Sequence, residues 1–590
     1  MLRSYDIMLL NSERVARWSA LVSIAVFLLL SATQAYKPLQ LDSADLPVWA
    51  AAVAKTGKPI AYRWERHQSE VFLYHTPLYL YGLAGWFKIF GYGPSQVRLF
   101  GALCAVTLGL VTFSIFRSII PVSVCWTFGA VFWPLFLLNP YTVQGAAIAD
   151  MDTTIYGPLL CGFVLCVIRL SFRNGEVRVA TPAFPELLLC SVILALSFWT
   201  KLTTVLLFLP YPLFLLWPRF GLFRAVRVST AVLVIGISLF LVTFVAWCKW
   251  VGADPLEFWR RLLSYALTRG SSGHGGLLGR LHDFENNFLY MGPFTLKWTG
   301  LLPWAGVIAA FGYCGAMAVR RRNLCTYAAG ITFGFAGLGS MYYSAQQLTF
   351  GNSPYKYNYV FWGIISAGAA YLYAVLLEPK ARLTPVLRRW IWIGSLGIFS
   401  GAVFLGDIYF KDGVMKLGSR DFLPSWPYWL LPTAIFCLIA CALYKRQHLL
   451  AAFAIMLVAF HVGLELGVTS FQVRQTYSTT YNYGQEGLTE TAWYLRSVTN
   501  ENDVIAALKD LGPLTQRRYY ENYGYLYGGE QGADKFIGLM TSRTIRYAVF
   551  TENLGEDQLV MNTRLQDWIA RNCRVVKSIG NYRVYELTPK

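Results

Sequence analysis

Several carboxylates lie at the edges of apolar segments. A charged group next to the hydrocarbon of a membrane is energetically unfavourable unless it binds a partner or takes part in chemistry. Asp42 precedes a short helical pattern for which Asp45 is the expected N-cap and Gly57 the expected stop. Asp150 and Asp152 are two residues apart, directly before another apolar run. Carboxylates in such places can act as a general base, hold a cation or cap a helix. Capping explains only one member of the pair, and a solvated loop carboxylate is the alternative for Asp42.

Basic groups occupy similar positions. Lys201 separates two apolar runs, which suits either an anionic partner or an ammonium that reaches the lipid headgroups. His75 stands before an aromatic helical pattern that Pro77 introduces. A glycine-rich stretch, residues 270–276, lies within a basic segment that suits a phosphate or anionic headgroups. The basic residues of that segment are Arg260, Arg261, Arg269, His274, Arg280 and His282.

A metal site is an open alternative. A divalent cation held by histidines and carboxylates would have His274 and His282 as candidate ligands, although the histidine spacings match no local metal motif. His461 and Glu465, at helical i,i+4 spacing in a late apolar run, face either the bundle interior or the same cavity. No CxxC pair occurs in the sequence, so a disulfide framework or a thiolate zinc site is not expected.

The composition places these residues in a membrane protein. Of 590 residues, 55% are hydrophobic and only 14% are charged, against about 25% charged in soluble proteins. This excludes an ordinary soluble enzyme, a disordered regulator and a secreted disulfide scaffold. The net charge is +19, and the basic residues cluster at the ends of apolar runs. That placement indicates membrane orientation and anionic lipid, not nucleic acid.

The apolar runs predict a polytopic α-helical membrane protein with about 13 spans. The short fifth and sixth spans also fit one re-entrant hairpin. Basic residues mark every second connection, which predicts a cytoplasmic N-terminus. The first span ends in Thr33-Gln34-Ala35, which resembles a signal peptidase site, but we expect an uncleaved anchor, because it explains the alternation of basic connections equally well. The predicted spans are centred on 15–35, 97–117, 119–139, 151–170, 186–200, 202–218, 228–250, 299–319, 325–343, 359–377, 391–407, 427–444 and 449–468.

The sequence also predicts two domains. Residues 1–469 form the transmembrane part, in which the exported loops 36–96 and 251–298 carry most of the candidate chemistry. Residues 470–590 hold short apolar runs of strand length that alternate with helical patterns near 487–499 and 532–542. We therefore expect a small exported α/β domain at the C-terminus.

The order of these motifs resembles the GT-C glycosyltransferases, especially the protein O-mannosyltransferases and the lipid A aminoarabinose transferases. The resemblance covers residues 10–220 with recognisable motifs and rests on general layout beyond them. It is carried by Asp42 with Gly57, the stretch from His75 to Gly91, the Asp150/Asp152 pair and Thr200-Lys201.

The resemblance implies transfer of a sugar from a polyprenyl phosphate, with inversion, on the exported face of the bacterial inner membrane. Asp42 is then the base that activates the acceptor, which is a lipid, a glycan or a protein. Asp150, Asp152 and His75 hold the acceptor or a cation. Lys201 and the loop arginines Arg260, Arg261, Arg269 and Arg280 neutralise the lipid phosphate.

This chain departs from the pattern in two places. Many members carry Asp-Glu where this chain has Asp42-Ser43, so Asp45 is a second candidate for the base. The aminoarabinose transferases carry Glu-Lys-Pro-Pro where this chain has Tyr74-His75-Thr76-Pro77, so their metal site and their sugar are not implied. The alternatives to an enzyme are a lipid or polysaccharide transporter, such as a flippase, and an inactive scaffold.

Overall fold

The fold was analysed in a computed structural model of the chain. Some side chains within the described ranges, including those of residues 42–45 and 263–268, are not described. The structure describes residues 2–35, 37, 39, 42–63, 68–72, 75–178, 181–268, 300–321, 323–346, 355–377, 385–408, 446–474, 486–500, 502–507, 511–515, 517–521, 529–551 and 563–588.

Helices dominate residues 2–268. In chain order the elements are α1 (Leu2–Thr33), α2 (Asp42–Thr56), β1 (Ile60–Arg63), β2 (Gln68–Val71), α3 (Leu78–Phe90), α4 (Pro94–Ile119), α5 (Val122–Leu137), α6 (Pro140–Ile148), α7 (Tyr156–Arg169), β3 (Phe172–Arg173), β4 (Glu176–Val177), α8 (Phe184–Phe198), α9 (Leu202–Phe208), α10 (Tyr211–Phe220), α11 (Leu222–Val251) and α12 (Pro255–Thr268). The strands form two short antiparallel hairpins, β1–β2 and β3–β4.

Among the described residues after 268, five further helices come first, and then a region of mixed helices and strands. The helices are α13 (Leu301–Arg321), α14 (Leu324–Gln346), α15 (Tyr355–Leu372, continued by a π-helical turn to Leu377), α16 (Pro385–Ile408) and α17 (Gln447–Arg474). The mixed region contains α18 (Leu488–Val498), β5 (Val504–Ala507), α19 (Leu511–Thr515), β6 (Arg518–Glu521), α20 (Gly529–Thr541), β7 (Tyr547–Thr551), α21 (Thr563–Asn572), β8 (Cys573–Ile579) and β9 (Tyr582–Leu587).

The chain is a polytopic helical membrane protein. Among the described residues, six helices are long and apolar enough to cross a membrane, or seven if the pair α5 and α6, bent by 57°, forms one span. A lipid bilayer has no water to satisfy an exposed backbone, so spanning segments must be helical here. The predicted total of about 13 spans stays a prediction, and the predicted span 427–444 lies outside the described residues.

Two compact units divide the chain. The first comprises residues 1–33, 73–78 and 99–474, and the second comprises 34–72, 79–98 and 475–590. The division at 469/470 read from the sequence stays a prediction, since the second unit also takes in most of the first loop.

A five-stranded sheet organises the C-terminal part of the second unit. Its strand order is β6-β5-β7-β9-β8, parallel across the first three strands and antiparallel across the last three. The central strands β5 and β7 are buried along their whole length, because helices cover both faces of the sheet. The apolar runs of strand length in the sequence coincide with β5, β7 and β9.

In the first unit, α16 and α17 pack backbone to backbone. A Cβ atom placed on Gly467 would lie 2.1 Å from the carbonyl oxygen of Val403, and one on Gly463 would lie 2.5 Å from that of Phe399. Small residues spaced four apart allow such close approach between membrane helices. The glycines therefore set the distance between these two helices.

We expect Gly467→Ala to lower the free energy of unfolding in detergent by about 1–3 kcal/mol, because the added methyl group overpacks this contact. The matched control is Gly401→Ala on α16, where a Cβ atom would meet nothing within 4 Å. The control should leave stability unchanged or slightly higher. Equal free energies of unfolding of the two variants would show that α16 and α17 can move apart without loss of stability.

Candidate active site

A buried turn between α6 and α7 carries the paired carboxylates. Ala149 ends α6 in the left-handed conformation, at φ 50° and ψ 39°. Asp150 Oδ1 then accepts hydrogen bonds from the backbone N–H groups of Asp152 at 2.8 Å and of Thr153 at 3.3 Å. The Thr154 hydroxyl donates to the Asp150 carbonyl oxygen at 2.5 Å. Asp150 thus satisfies the amides of its own turn and fixes the direction of Asp152.

Lys201 lies in the break between α8 and α9. Its backbone is extended, at φ −161° and ψ 128°, and it stands at the N-cap position of α9. Lys201 Nζ donates to Asp152 Oδ1 at 2.6 Å. The two side chains are 9% and 4% exposed, so the pair is almost fully removed from solvent. The ammonium therefore lies against a carboxylate inside the bundle and does not reach outward to headgroups.

Tyr156, the first residue of α7, ties the two parts of this site together. Its hydroxyl donates to the Lys201 carbonyl oxygen at 3.2 Å, and the residue is fully buried. Two contacts therefore join the turn that carries the carboxylates to the break between α8 and α9. One is the Asp152–Lys201 ion pair, and the other is the hydrogen bond from the Tyr156 hydroxyl to the Lys201 carbonyl oxygen. We call the cluster of Asp150, Asp152, Tyr156 and Lys201 the ion-pair site.

The segment that contains His75 is anchored to the same break. The Thr76 hydroxyl donates to the Phe198 carbonyl oxygen at 2.9 Å, and the Leu78 N–H donates to that of Trp199 at 3.0 Å. These carbonyls lie at the C-terminal end of α8, where the helix itself has no N–H groups left to donate to them. His75 is half-buried beside this anchor. The structure thus brings the His75 segment and Lys201 to one helix end.

The first-loop carboxylates lie in the second unit. Helix α2 begins at Asp42, so Asp45 is inside the helix and not its N-cap, which corrects the expectation from the sequence. The helix starts earlier because Pro47 is accommodated within it. Gly57, at φ 79°, ends the helix, and its N–H donates to the Val53 carbonyl oxygen at 2.8 Å. The side chains of Asp42 and Asp45 are not described.

Of the four arginines that the sequence assigns to the lipid phosphate, two lie among the described residues. Arg260 and Arg261 are exposed on α12, and Arg261 pairs with Glu257 at 2.5 Å one turn away. This exposed i,i+4 pair has little effect on stability. The other predicted ligands in this segment, Arg269, His274, Arg280 and His282, lie outside the described residues.

Solved structures share this architecture over nearly the whole chain. ArnT from Cupriavidus metallidurans bound to undecaprenyl phosphate is similar at a TM-score of 0.61 and 16% identity, covering 97% of this chain and 99% of that one. Its apo structure gives 0.60 and 17% over the same shares. The apo oligosaccharyltransferase of Archaeoglobus fulgidus gives 0.52 and 12%, covering 98% of this chain and 74% of that one. The chain therefore shares the fold of these solved structures. No protein-family description and no curated protein matches its sequence.

The resemblance inferred from sequence motifs is therefore confirmed as a fold. ArnT is a lipid A aminoarabinose transferase, one of the two groups that the motifs resemble. In this structure the acidic pair and the Thr200-Lys201 motif are parts of one ion-pair site. Tyr156 and Thr76, which hold that site together, were not singled out from the sequence. The turn at Asp150 could have been predicted from the Thr153-Thr154 pair that follows it, since threonine side chains close turns by hydrogen bonds to the backbone.

Both carboxylates of the ion-pair site already have partners among the described residues. Asp150 already accepts from two amides, and Asp152 faces an ammonium at 2.6 Å. The positive charge that a cation would supply is thus supplied by Lys201. Across the described ranges, no group of three or more His, Cys, Asp or Glu residues could hold a metal ion.

The turn built on Asp150 gives a test of its own. Asp150→Ala removes the acceptor of two buried amides and should lower the free energy of unfolding by about 1–3 kcal/mol. Asp150→Asn keeps an Oδ1 acceptor, so its stability should lie within about 1 kcal/mol of the wild type. Denaturant unfolding of the purified protein measures both. An equal loss in the two variants would mean that the charge, not the acceptor oxygen, holds the turn.

Proposed function

We propose that this protein transfers a sugar from a polyprenyl phosphate to an acceptor held beside the membrane. The observation that carries the proposal is the buried Asp152–Lys201 pair at a helix break in a chain with the GT-C fold. Burying a lysine inside a membrane bundle is costly, and such residues usually serve an ion, a proton or a substrate. A structurally similar protein, ArnT, is known bound to undecaprenyl phosphate.

Lys201 is the group that we assign to the phosphate. When the bond between the anomeric carbon and the phosphate oxygen breaks, negative charge accumulates on the departing phosphate. A cation fixed in a water-poor site stabilises that charge without reorganising. An ammonium carries three N–H donors, so it can bridge Asp152 and a second anion. Arg260, Arg261, Arg269 and Arg280 would add positive charge at the lipid phosphate.

Asp152 and Asp150 position that ammonium. Asp152 accepts a hydrogen bond from the Lys201 Nζ and so fixes its direction, while Asp150 holds the turn from which Asp152 projects. In this assignment the acidic pair acts through Lys201. Its contact with the acceptor or a cation, which the resemblance implies, stays a prediction. His75 is retained as an acceptor-binding residue, on the segment anchored to the end of α8.

Asp42 is the proposed general base. Inversion at the anomeric carbon requires the acceptor hydroxyl to attack from the side opposite the phosphate, and its proton must pass to a nearby base. The acceptor is a lipid, a glycan or a protein hydroxyl. The N-terminus is placed in the cytoplasm and the C-terminal domain on the exported face of the bacterial inner membrane, following the distribution of basic loops.

The test uses the full-length protein in lipid nanodiscs with a panel of radiolabelled polyprenyl-phosphate sugars and a membrane extract as the acceptor source. We expect label to pass from one donor to an acceptor, and Lys201→Met to abolish the transfer. In parallel, sealed vesicles measure movement of the same donors across the bilayer. Movement of a donor without transfer would contradict the proposal and favour a flippase.

A further inference from the structure

A buried arginine near the start of α4 contacts the chain just ahead of α2. Arg98 is 2% exposed, and its Nη2 donates to the carbonyl oxygen of Lys37 at 3.0 Å. A guanidinium is always charged in proteins, so its burial is unfavourable unless its N–H groups find acceptors. Lys37 lies five positions before Asp42, the first residue of α2. Both partners of the bond belong to the second unit. An arginine of one helix thus holds the segment that leads into another helix.

This contact depends on a directed hydrogen bond and not on attraction between side chains. Burial and the neighbouring Arg98 guanidinium lower the pKa of the Lys37 ammonium to about 8, since two cations repel each other. What joins the two residues is the Lys37 carbonyl oxygen, and a hydrogen bond from a charged donor is stronger than one between neutral groups. The Lys37 N–H in turn donates to the Gln34 carbonyl oxygen at 3.1 Å, just after α1. Residue 37 is therefore held through its backbone.

Apolar packing holds the rest of α2. Trp49 is 1% exposed, and its ring lies edge-on to that of Phe72 with 5.4 Å between the centroids. This packing acts about two turns after Asp42. On the other side, the five residues from Lys37 to Asp42 span at most about 18 Å. The bond to Lys37 therefore restrains the beginning of α2 where the packing of Trp49 does not reach.

We propose that Arg98 is a positioning residue for sugar transfer that acts through Asp42. This rests on the proposed function, in which Asp42 takes the proton of the acceptor hydroxyl. Arg98 holds the Lys37 carbonyl and so keeps the beginning of α2 in place, together with the carboxylate that must lie within hydrogen-bond reach of that hydroxyl. A displacement of about 1 Å can lower a rate by about 10²-fold. The donor phosphate is assigned to Lys201, so donor binding does not depend on Arg98.

The first measurement follows this anchor without any sugar transfer. Full-length protein in nanodiscs undergoes hydrogen–deuterium exchange, which mass spectrometry reads in peptides that cover residues 37–56. We expect exchange at least about tenfold faster in Arg98→Met than in the wild type, since a hydrogen bond to a charged group contributes about this factor. Arg98→Lys should exchange as fast as Arg98→Met, because lysine keeps the charge but not the planar fork of donors.

Two controls accompany the exchange measurement. Lys88→Met removes an exposed cation from α3 of the same unit and should exchange like the wild type in these peptides. Peptides of the turn at residues 149–154, in the first unit, should exchange alike in all the variants. Exchange in Arg98→Met that matches the wild type across residues 37–56 would overturn the proposal.

The second measurement separates positioning from a general loss of structure. We expect Arg98→Met to lower kcat by at least about tenfold at an unchanged donor dissociation constant, and Lys88→Met to keep the wild-type rate. In an Asp42→Asn background, Arg98→Met should lower the residual rate no further, because the group that it positions is already gone. Equal fold losses in the two backgrounds would overturn the proposal. A wild type that transfers no sugar but shows the exchange difference would instead overturn the proposed function and confine Arg98 to anchoring α2.

Discussion

Lys201→Met is expected to abolish sugar transfer and also to destabilise the protein. Removing the ammonium takes the Lys201 charge away from the buried Asp152 carboxylate, and breaking a buried ion pair on one side costs about 3–5 kcal/mol. The same change removes the cation that stabilises the departing phosphate, which should lower turnover by at least about 10²–10³-fold. Asp152→Asn should reproduce both effects, since it leaves the ammonium uncompensated and undirected.

The double variant separates structure from chemistry. Asp152→Asn with Lys201→Met removes both charges of the ion pair, so its stability should return close to that of the wild type. Its transfer activity should stay at the level of the single variants. The control is Arg574→Met, which breaks the exposed pair with Glu586 in the C-terminal sheet and should change stability by less than about 1 kcal/mol. If the double variant had wild-type activity, the ion pair would not take part in the chemistry and would have only a structural role.

Asp42→Asn is expected to lower transfer by about 10²–10⁴-fold, because the amide cannot accept the proton of the acceptor hydroxyl. Donor binding should not change, since the charge that holds the lipid phosphate lies elsewhere. Asp42 is the first residue of α2, and the substitution of one good N-terminal residue by another should leave unfolding almost unaffected. Initial rates at saturating donor and a donor-binding isotherm measure the two effects separately.

Asp45→Asn is the matched comparison for this prediction. Both positions belong to the beginning of α2, and both changes remove one negative charge. We expect the Asp45 variant to retain transfer within about tenfold of the wild type. A large loss at Asp45 combined with full activity at Asp42→Asn would move the base to Asp45, three residues along the same helix.

Much of the fold follows from the sequence because hydrophobic patterning is local. The long apolar runs become helices, and the strand at Val504–Ala507 is already visible as a short apolar run. Gly57 and Pro77 mark helix boundaries for local steric reasons. The start of α2 was missed because Asp45 and Pro47 together mimic a helix start, whereas the helix continues through the proline.

The sequence identified the residues of the candidate site but not how their side chains are arranged. Asp152 and Lys201 are 49 positions apart, and nothing local indicates that their side chains meet. The sequence therefore assigned them to different ligands, whereas the structure pairs them. His461 and Glu465 were recognised as an i,i+4 pair, but their convergence on Gly300 depends on the packing of α13 against the rest of the bundle.

The most direct test of the central claim is the balance of products in the transfer reaction. With the active donor, mass spectrometry should find free polyprenyl phosphate and glycosylated acceptor in equimolar amounts from the wild type, and neither above background from Asp42→Asn. Such a balance means that the sugar–phosphate bond breaks as the acceptor is glycosylated. Intact donor after prolonged incubation, or polyprenyl phosphate released with free sugar only, would contradict transfer to an acceptor.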